Sequence, residues 1–147
     1  MTQNSTSART SGPSSAPARG NPVYAILIGL ATLGVLLQGL WAGIFLEGEH
    51  RPDKWVNVHA RGAEVTIVLT VLAFVAALVW LRHRRDLVIG TAVLAVALFV
   101  EAYIGGRITD DGNDTLTAVH VPLAMAVMGL AVWLPLRARS GRSARVD

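Results

Sequence analysis

Four long apolar runs constrain this chain more than any other feature of its sequence. They cover residues 23–46, 62–81, 87–105 and 118–136. Each is about as long as a helix rising ~1.5 Å per residue must be to cross a ~30 Å hydrocarbon core. Because backbone polar groups in lipid must be paired within the segment, runs of this kind form helices. The sequence therefore predicts four transmembrane helices in a domain of residues 22–137.

The segments that flank this domain are polar. Residues 1–21 are rich in Ser, Thr, Pro, Gly and Ala without apolar periodicity, so we expect a disordered tail. Residues 138–147 form a short basic tail of the same kind. The chain has no cysteine, which excludes disulfides and thiolate metal sites. The net charge is only +3 and the basic residues flank the helices, so we predict a lipid bilayer and no nucleic acid as partner.

The distribution of basic residues predicts the orientation of the helices. Nine arginines lie on the segments that share a side with the N-terminus, against four Lys or Arg on the opposite side. This bias favours both termini in the cytoplasm. Short connections between successive helices favour antiparallel neighbours. We therefore predict an all-α, up-down-up-down transmembrane four-helix bundle.

Two histidines occupy equivalent places in this pattern. His59 stands at the threshold of the second run, and His120 opens the fourth. In an up-down bundle the second and fourth helices lie across a diagonal and run in the same direction, so the two rings can face each other. A bundle that holds a haem iron between two axial imidazoles has this arrangement. Small residues follow at helical spacing, for example Thr66 and Ala73, and they suit either a planar macrocycle or close helix packing.

Further polar residues lie near the two histidines. We expect Gln38 and Glu101 to support the rings, with Glu101 fixing a ring tautomer by a hydrogen bond. The alternative is a protonated glutamate that bonds between helices. We expect Arg61 and Arg107, at the rim, to pair with haem propionates; the alternative is interfacial snorkelling.

The remaining ionisable residues have weaker claims to a site. Glu64 is expected to pair with Arg61 or Arg107, on the same ground that intramembrane charges need partners. His50 lies in a charged loop, and His83 belongs to the cluster RHRR. Neither is predicted to be a ligand.

Three segments resemble a known family, namely LLQGLWAGIF, VNVHARGAEVTIVL and EAYIGGRITDDGNDTLTAVHVPLAMAV. Over residues 23–137 the chain is similar to small four-helix membrane proteins of high-GC, actinobacterial-type bacteria without an assigned function. It also resembles one half of heme A synthase, whose halves are four-helix bundles with a histidine opening the second and fourth helices. The resemblance implies a bacterial cytoplasmic membrane location, with His59 and His120 as axial ligands of haem b. The chain departs from that family in having one bundle, no cysteine pair, and Val56 where a glutamate is usual.

Three functions are compatible with these residues. The leading hypothesis is a b-type haem-binding membrane protein that passes electrons or handles haem, with a redox protein or a quinone as partner. The second is a cofactor-free scaffold or accessory subunit, in which the small residues support homo-oligomers. The third is a homodimeric relative of heme A synthase, and only this third function is enzymatic.

Overall fold

The computed structural model describes residues 21–47 and 53–140, and this part of the chain is all-helical. Its elements are α1 (Pro22–Leu46), α2 (Asp53–Trp80), α3 (Arg85–Asp111), a short 3-10 helix (Asp114–Leu116) and α4 (Thr117–Ser140). The predictions made for residues 1–20, for residues 141–147 and for His50 lie outside the described residues.

Every predicted helix is present, but three of them extend beyond their apolar runs. α2 begins at Asp53 and not at residue 62, α3 continues to Asp111, and α4 continues to Ser140. Residues 138–140 are therefore helical. Hydropathy marks only the apolar part of a helix, whereas backbone hydrogen bonding continues through its polar end turns. At α1 the predicted start is nearly right, because the Asn21 side chain caps it by accepting from the Tyr24 N–H.

The four helices enclose one core. Each long helix packs against the next along the chain, and α1 also packs against α4. Among the described residues, no Cα atoms of the diagonal pairs α1/α3 and α2/α4 come within 8 Å of each other. The diagonal helices therefore meet only through side chains. The largest fully buried apolar side chains are Tyr24, Ile28, Leu87, Leu94 and Leu134.

Buried hydroxyl groups in this core have hydrogen-bond partners. The Tyr24 hydroxyl lies 2.9 Å from Oγ1 of Thr91 and so links α1 to α3 across the diagonal. Thr66 and Thr70 donate to the carbonyl oxygens of Gly62 and Thr66, at 2.7 and 2.8 Å. These bonds to the preceding turn let polar threonines pack inside an apolar bundle.

The outer surface of the bundle is strongly apolar. Ile26, Val96 and Met125 are 62%, 63% and 71% exposed. A helix on the surface of a water-soluble protein usually turns one apolar stripe inward and polar residues outward. All four of these helices are long and apolar enough to cross a membrane. In the most apolar stretch of each helix, at most 33% is buried within the bundle.

Candidate functional site

One polar side chain from each helix contributes to a cluster at one end of the bundle. The four residues are Gln38 on α1, His59 on α2, Glu101 on α3 and His120 on α4; we call them the polar cluster. Gln38 contacts His59, and Glu101 contacts His120. The two histidines are close enough to interact electrostatically, although they belong to diagonal helices. The structure thus brings together the four core residues that the sequence singled out.

Glu101 is the most buried Asp, Glu, Lys, Arg or His side chain among the described residues, with 7% of its surface exposed. Its Oε2 lies 2.5 Å from Nδ1 of His120. This distance is that of an ion pair, but the angle between the two groups is not that of a hydrogen bond. Neither carboxylate oxygen of Glu101 forms a hydrogen bond with another described residue. His120 is thus the polar neighbour of a buried carboxylate that would be costly in free energy without one.

Gly105 makes room for the ring of His120. It lies four residues after Glu101 and therefore on the same face of α3. A Cβ atom added at Gly105 would lie 3.5 Å from Cε1 of His120. α3 continues past this glycine to Asp111. In the sequence, the four-residue spacing between Glu101 and Gly105 could have indicated that they share a face of the helix.

Gln38 positions His59 from the neighbouring helix. Nδ1 of His59 lies 3.2 Å from the main-chain oxygen of Gln38. The Gln38 side-chain amide satisfies its partners when its nitrogen faces His59, 2.9 Å from Nδ1 and 3.0 Å from the His59 carbonyl oxygen, while its oxygen accepts from Ala63 N at 2.9 Å. Nδ1 therefore either donates to the Gln38 carbonyl or accepts from its amide. In the first tautomer, Nε2 carries the lone pair that can bind a metal.

The close approach of α1 and α2 depends on Gly62. A Cβ atom at this position would collide with the Trp41 ring and would lie 2.6 Å from the Gln38 side-chain amide group. The indole of Trp41 thus packs on the bare backbone of α2 beside His59. Neither Gly62 nor Trp41 was identified from the sequence as part of this contact. A contact between a large aromatic residue and a glycine on another helix can be predicted only when the register of the two helices is known.

The two rim arginines do not join the polar cluster. Arg61 pairs with Glu64 at 2.8 Å, and Arg107 pairs with Asp111 at 2.7 Å, both within one helix. Their side chains are 80% and 53% exposed. Arg61 also points about 200° around α2 from His59, because it lies two residues further along the helix and each residue turns about 100°. A propionate would have to displace a carboxylate to reach either guanidinium.

A second polar network ties the loop between α2 and α3 to the end of α4. The Asp86 carboxylate accepts from Arg84 at 3.0 and 3.1 Å and from Arg137 at 2.8 Å. Arg84 also donates to the Arg137 carbonyl oxygen at 3.1 Å. The hydrogen bonds to Asp86 raise the pKa of the Arg84 guanidinium. Only a basic cluster was identified from the sequence here. Asp86, an acidic residue beside that cluster, could have indicated an ion-pair network.

Each histidine of the polar cluster has one ring nitrogen beside an oxygen atom of a neighbouring helix. Metal-binding histidines generally present one ring nitrogen to the metal while the other meets a carboxylate or a backbone carbonyl. His120 has the Glu101 carboxylate at Nδ1, and His59 has the Gln38 carbonyl at Nδ1. The described residues contain no group of three or more His, Asp or Glu that could hold a metal ion.

These features define an all-helical protein with four helices long and apolar enough to cross a membrane and a two-histidine cluster at one end. Comparison with family models, curated proteins and solved structures found no match to this chain.

Proposed function

We propose that this chain is a multi-pass protein of the bacterial cytoplasmic membrane. Its helices would run up-down-up-down with both termini in the cytoplasm, and the polar cluster would lie near the outer face. The exposed apolar surface supports insertion into lipid. The excess of arginine at the opposite end, including Arg84 and Arg137, supports the orientation.

We further propose that the polar cluster binds a b-type haem, with His59 and His120 as axial ligands. One observation supports this most strongly: both histidines are partly buried, and each Nδ1 lies beside an oxygen of an adjacent helix. In the tautomer in which Nδ1 carries the proton, Nε2 would be the ligand. Neighbouring helices, and not the ligand helices themselves, thus orient both imidazoles.

Each residue of the cluster has a distinct part in this proposal. Glu101 would stabilise the form of His120 that is protonated at Nδ1 from ion-pair distance, with Gly105 beside the ring. In the tautomer in which Nδ1 of His59 carries the proton, the Gln38 carbonyl oxygen would accept it. When bound, a b-type haem supplies one-electron redox chemistry. The chain would then pass electrons to a redox protein or a quinone, or would handle haem near the membrane surface.

The decisive experiment is a reduced-minus-oxidised visible spectrum of the detergent-purified protein, expressed with ample haem. A low-spin bis-imidazole spectrum is expected in the wild type. His59→Ala and His120→Ala should each abolish it. His83→Ala is the matched control, because His83 is exposed at the opposite end of the bundle and should leave the spectrum unchanged.

A colourless wild-type protein that cannot be reconstituted with added haem would contradict the proposal. Equal loss of the spectrum in all three variants would contradict the ligand assignment. Analytical ultracentrifugation of the pigmented protein tests the enzyme-like version of the proposal. A stable monomer would argue against a homodimeric relative of heme A synthase.

A second candidate is a cofactor-free scaffold or accessory subunit. The observation that favours it is an open face of α1: Cβ atoms added at Gly39 or Gly43 would meet nothing within 4 Å among the described residues. Glycines four residues apart on a lipid-facing helix allow close approach of another helix. Under this hypothesis, Gly39→Leu or Gly43→Leu lowers association in detergent, and no histidine substitution changes any absorption.

A further inference from the structure

An apolar groove runs along the seam between α1 and α2, on the outer surface of the bundle. Its volume is about 330 Å³. Leu30, Leu33 and Leu37 line one wall, and Val65 and Leu69 line the other. The floor is the helix contact at Gly34, where an added Cβ would collide with Thr66. The groove lies outside the polar cluster and is not used by the proposed haem site.

The length of the groove matches one leaflet of a bilayer. From Leu30 to Trp41 the α1 wall covers eleven helical steps, or about 16 Å along the axis. This is about half of a ~30 Å hydrocarbon core. The Trp41 end lies beside the polar cluster, since Trp41 packs on Gly62. The groove therefore starts at the boundary of one leaflet and ends near the middle of the apolar region.

The boundary end of the groove carries positive charge. Arg61 lines it there, and its side chain is 80% exposed. Lys54 lies seven residues earlier on α2 and so on nearly the same face. Its Nζ stands 5.6 Å from the centroid of the Trp55 ring, and no carboxylate of the described residues forms an ion pair with it. An amphipathic tryptophan beside basic residues is typical of the membrane boundary.

From these features we propose that the groove binds one acyl chain of an anionic phospholipid, with the lipid phosphate at Arg61. The apolar walls match the chain, the groove length matches its leaflet, and the two cations complement the headgroup. Glu64 does not block this, because an exposed ion pair within one helix is weak and a phosphate can replace the carboxylate at Arg61. The proposal requires the helices to span a membrane, but it does not depend on haem.

The test is native mass spectrometry of the full chain, released from mixed micelles that contain equal amounts of phosphatidylglycerol and phosphatidylcholine. The wild type should retain phosphatidylglycerol in preference to phosphatidylcholine. Arg61→Gln should lower that preference about fivefold, since each cation near an anionic lipid contributes about that factor. Arg107→Gln is the matched control, because Arg107 also sits in an exposed ion pair within its helix but is remote from the groove.

A second pair of variants tests the apolar part of the groove. Leu33→Trp fills it and should remove retained lipid of both kinds. Leu36→Trp introduces the same bulk on the neighbouring face of α1 and should not; the two leucines are 51% and 50% exposed. Both sites face outward, so circular dichroism should show an unchanged helix content.

Three outcomes would overturn the proposal. They are equal retention of the two lipids by the wild type, no effect of Leu33→Trp, or a lipid-free dimer that Leu33→Trp converts to monomer. The last outcome would identify a second copy of the chain as the occupant. The haem spectrum of the same samples reports separately on the proposed function, so its failure cannot be mistaken for failure of the groove.

Discussion

Nδ1 of His120 on α4 and Oε2 of Glu101 on α3 lie 2.5 Å apart in the core of the bundle. Glu101 is buried, and its carboxylate has no hydrogen bond to another described residue. A buried carboxylate is tolerated when a cation or a polar donor faces it. This relationship gives the buried Glu101 carboxylate a polar neighbour on another helix.

Replacement of Glu101 should weaken haem binding without removing a ligand. Glu101→Leu deletes the acceptor at Nδ1, and loss of such a partner typically lowers metal affinity about 10- to 100-fold. Glu101→Gln keeps an oxygen acceptor and should lose less. Haem titration of the apoprotein, followed by absorbance, measures both affinities. Glu64→Gln is the control, since Glu64 is an exposed carboxylate on another helix. Equal affinities for wild type and Glu101→Leu would refute the role of Glu101.

Gly105 should tolerate a methyl group but not a larger side chain. An added Cβ lies at ordinary contact distance, 3.5 Å, from Cε1 of His120, so Gly105→Ala should retain the haem spectrum. Gly105→Leu would displace the ring and should abolish it. At Gly106 the nearest atom to an added Cβ is 4.0 Å away, on Asp110, so Gly106→Leu is the matched control. If Gly105→Leu and Gly106→Leu gave the same spectrum, Gly105 would have no part in positioning His120.

Gly62→Ala should destabilise the packing of α1 on α2. Its added Cβ would collide with the Trp41 ring. Overpacking of this kind costs about 1–3 kcal/mol. Thermal unfolding in detergent, followed by circular dichroism, should show a lower midpoint. Gly39→Ala meets nothing within 4 Å and should leave the midpoint equal or higher, because alanine favours the helix. A midpoint unchanged by Gly62→Ala would contradict the close Trp41 contact.

Asp86→Asn should loosen the end of the bundle opposite the polar cluster. Arg84 and Arg137 both form ion pairs with the Asp86 carboxylate, and the substitution removes the negative charge of that carboxylate. The Asp86 and Arg137 side chains are 27% and 50% exposed, so solvent screens the pair and we expect a loss of about 1 kcal/mol. Thermal unfolding midpoints at low and high salt measure this loss of stability. The difference in midpoint between Asp86→Asn and wild type should shrink as the salt concentration rises. Asp111→Asn, in an exposed pair within α3, should change the midpoint less.

The orientation can be tested by cysteine labelling, because the chain has no cysteine of its own. Single variants Arg82→Cys and Asp110→Cys place a thiol at exposed positions, one in the connection that precedes α3 and one in the last turn of α3. A membrane-impermeant maleimide should label Asp110→Cys in intact cells, whereas Arg82→Cys should react only after permeabilisation. The reverse pattern would invert the topology. Labelling of both variants in intact cells would rule out a membrane between the two ends.

The four helices were predictable because their signal is local. Length and hydropathy within each apolar run are sufficient to predict a helix, since paired backbone groups are required in lipid whatever surrounds the segment. The end turns were not predictable in this way. At the start of α2, Asp53 and Lys54 are polar but helical, because hydrogen bonding along the backbone does not require apolar side chains.

By itself, the sequence determined the helical class and the four candidates for the polar cluster, since a polar residue inside an apolar run stands out without knowledge of its neighbours. Only the tertiary structure decided which helix faces each of them. It placed Glu101 against His120, Gln38 against His59, and Arg61 on the outer surface. These pairings depend on the rotation and register of whole helices, which result from packing contacts such as Trp41 on Gly62 between residues far apart in the chain.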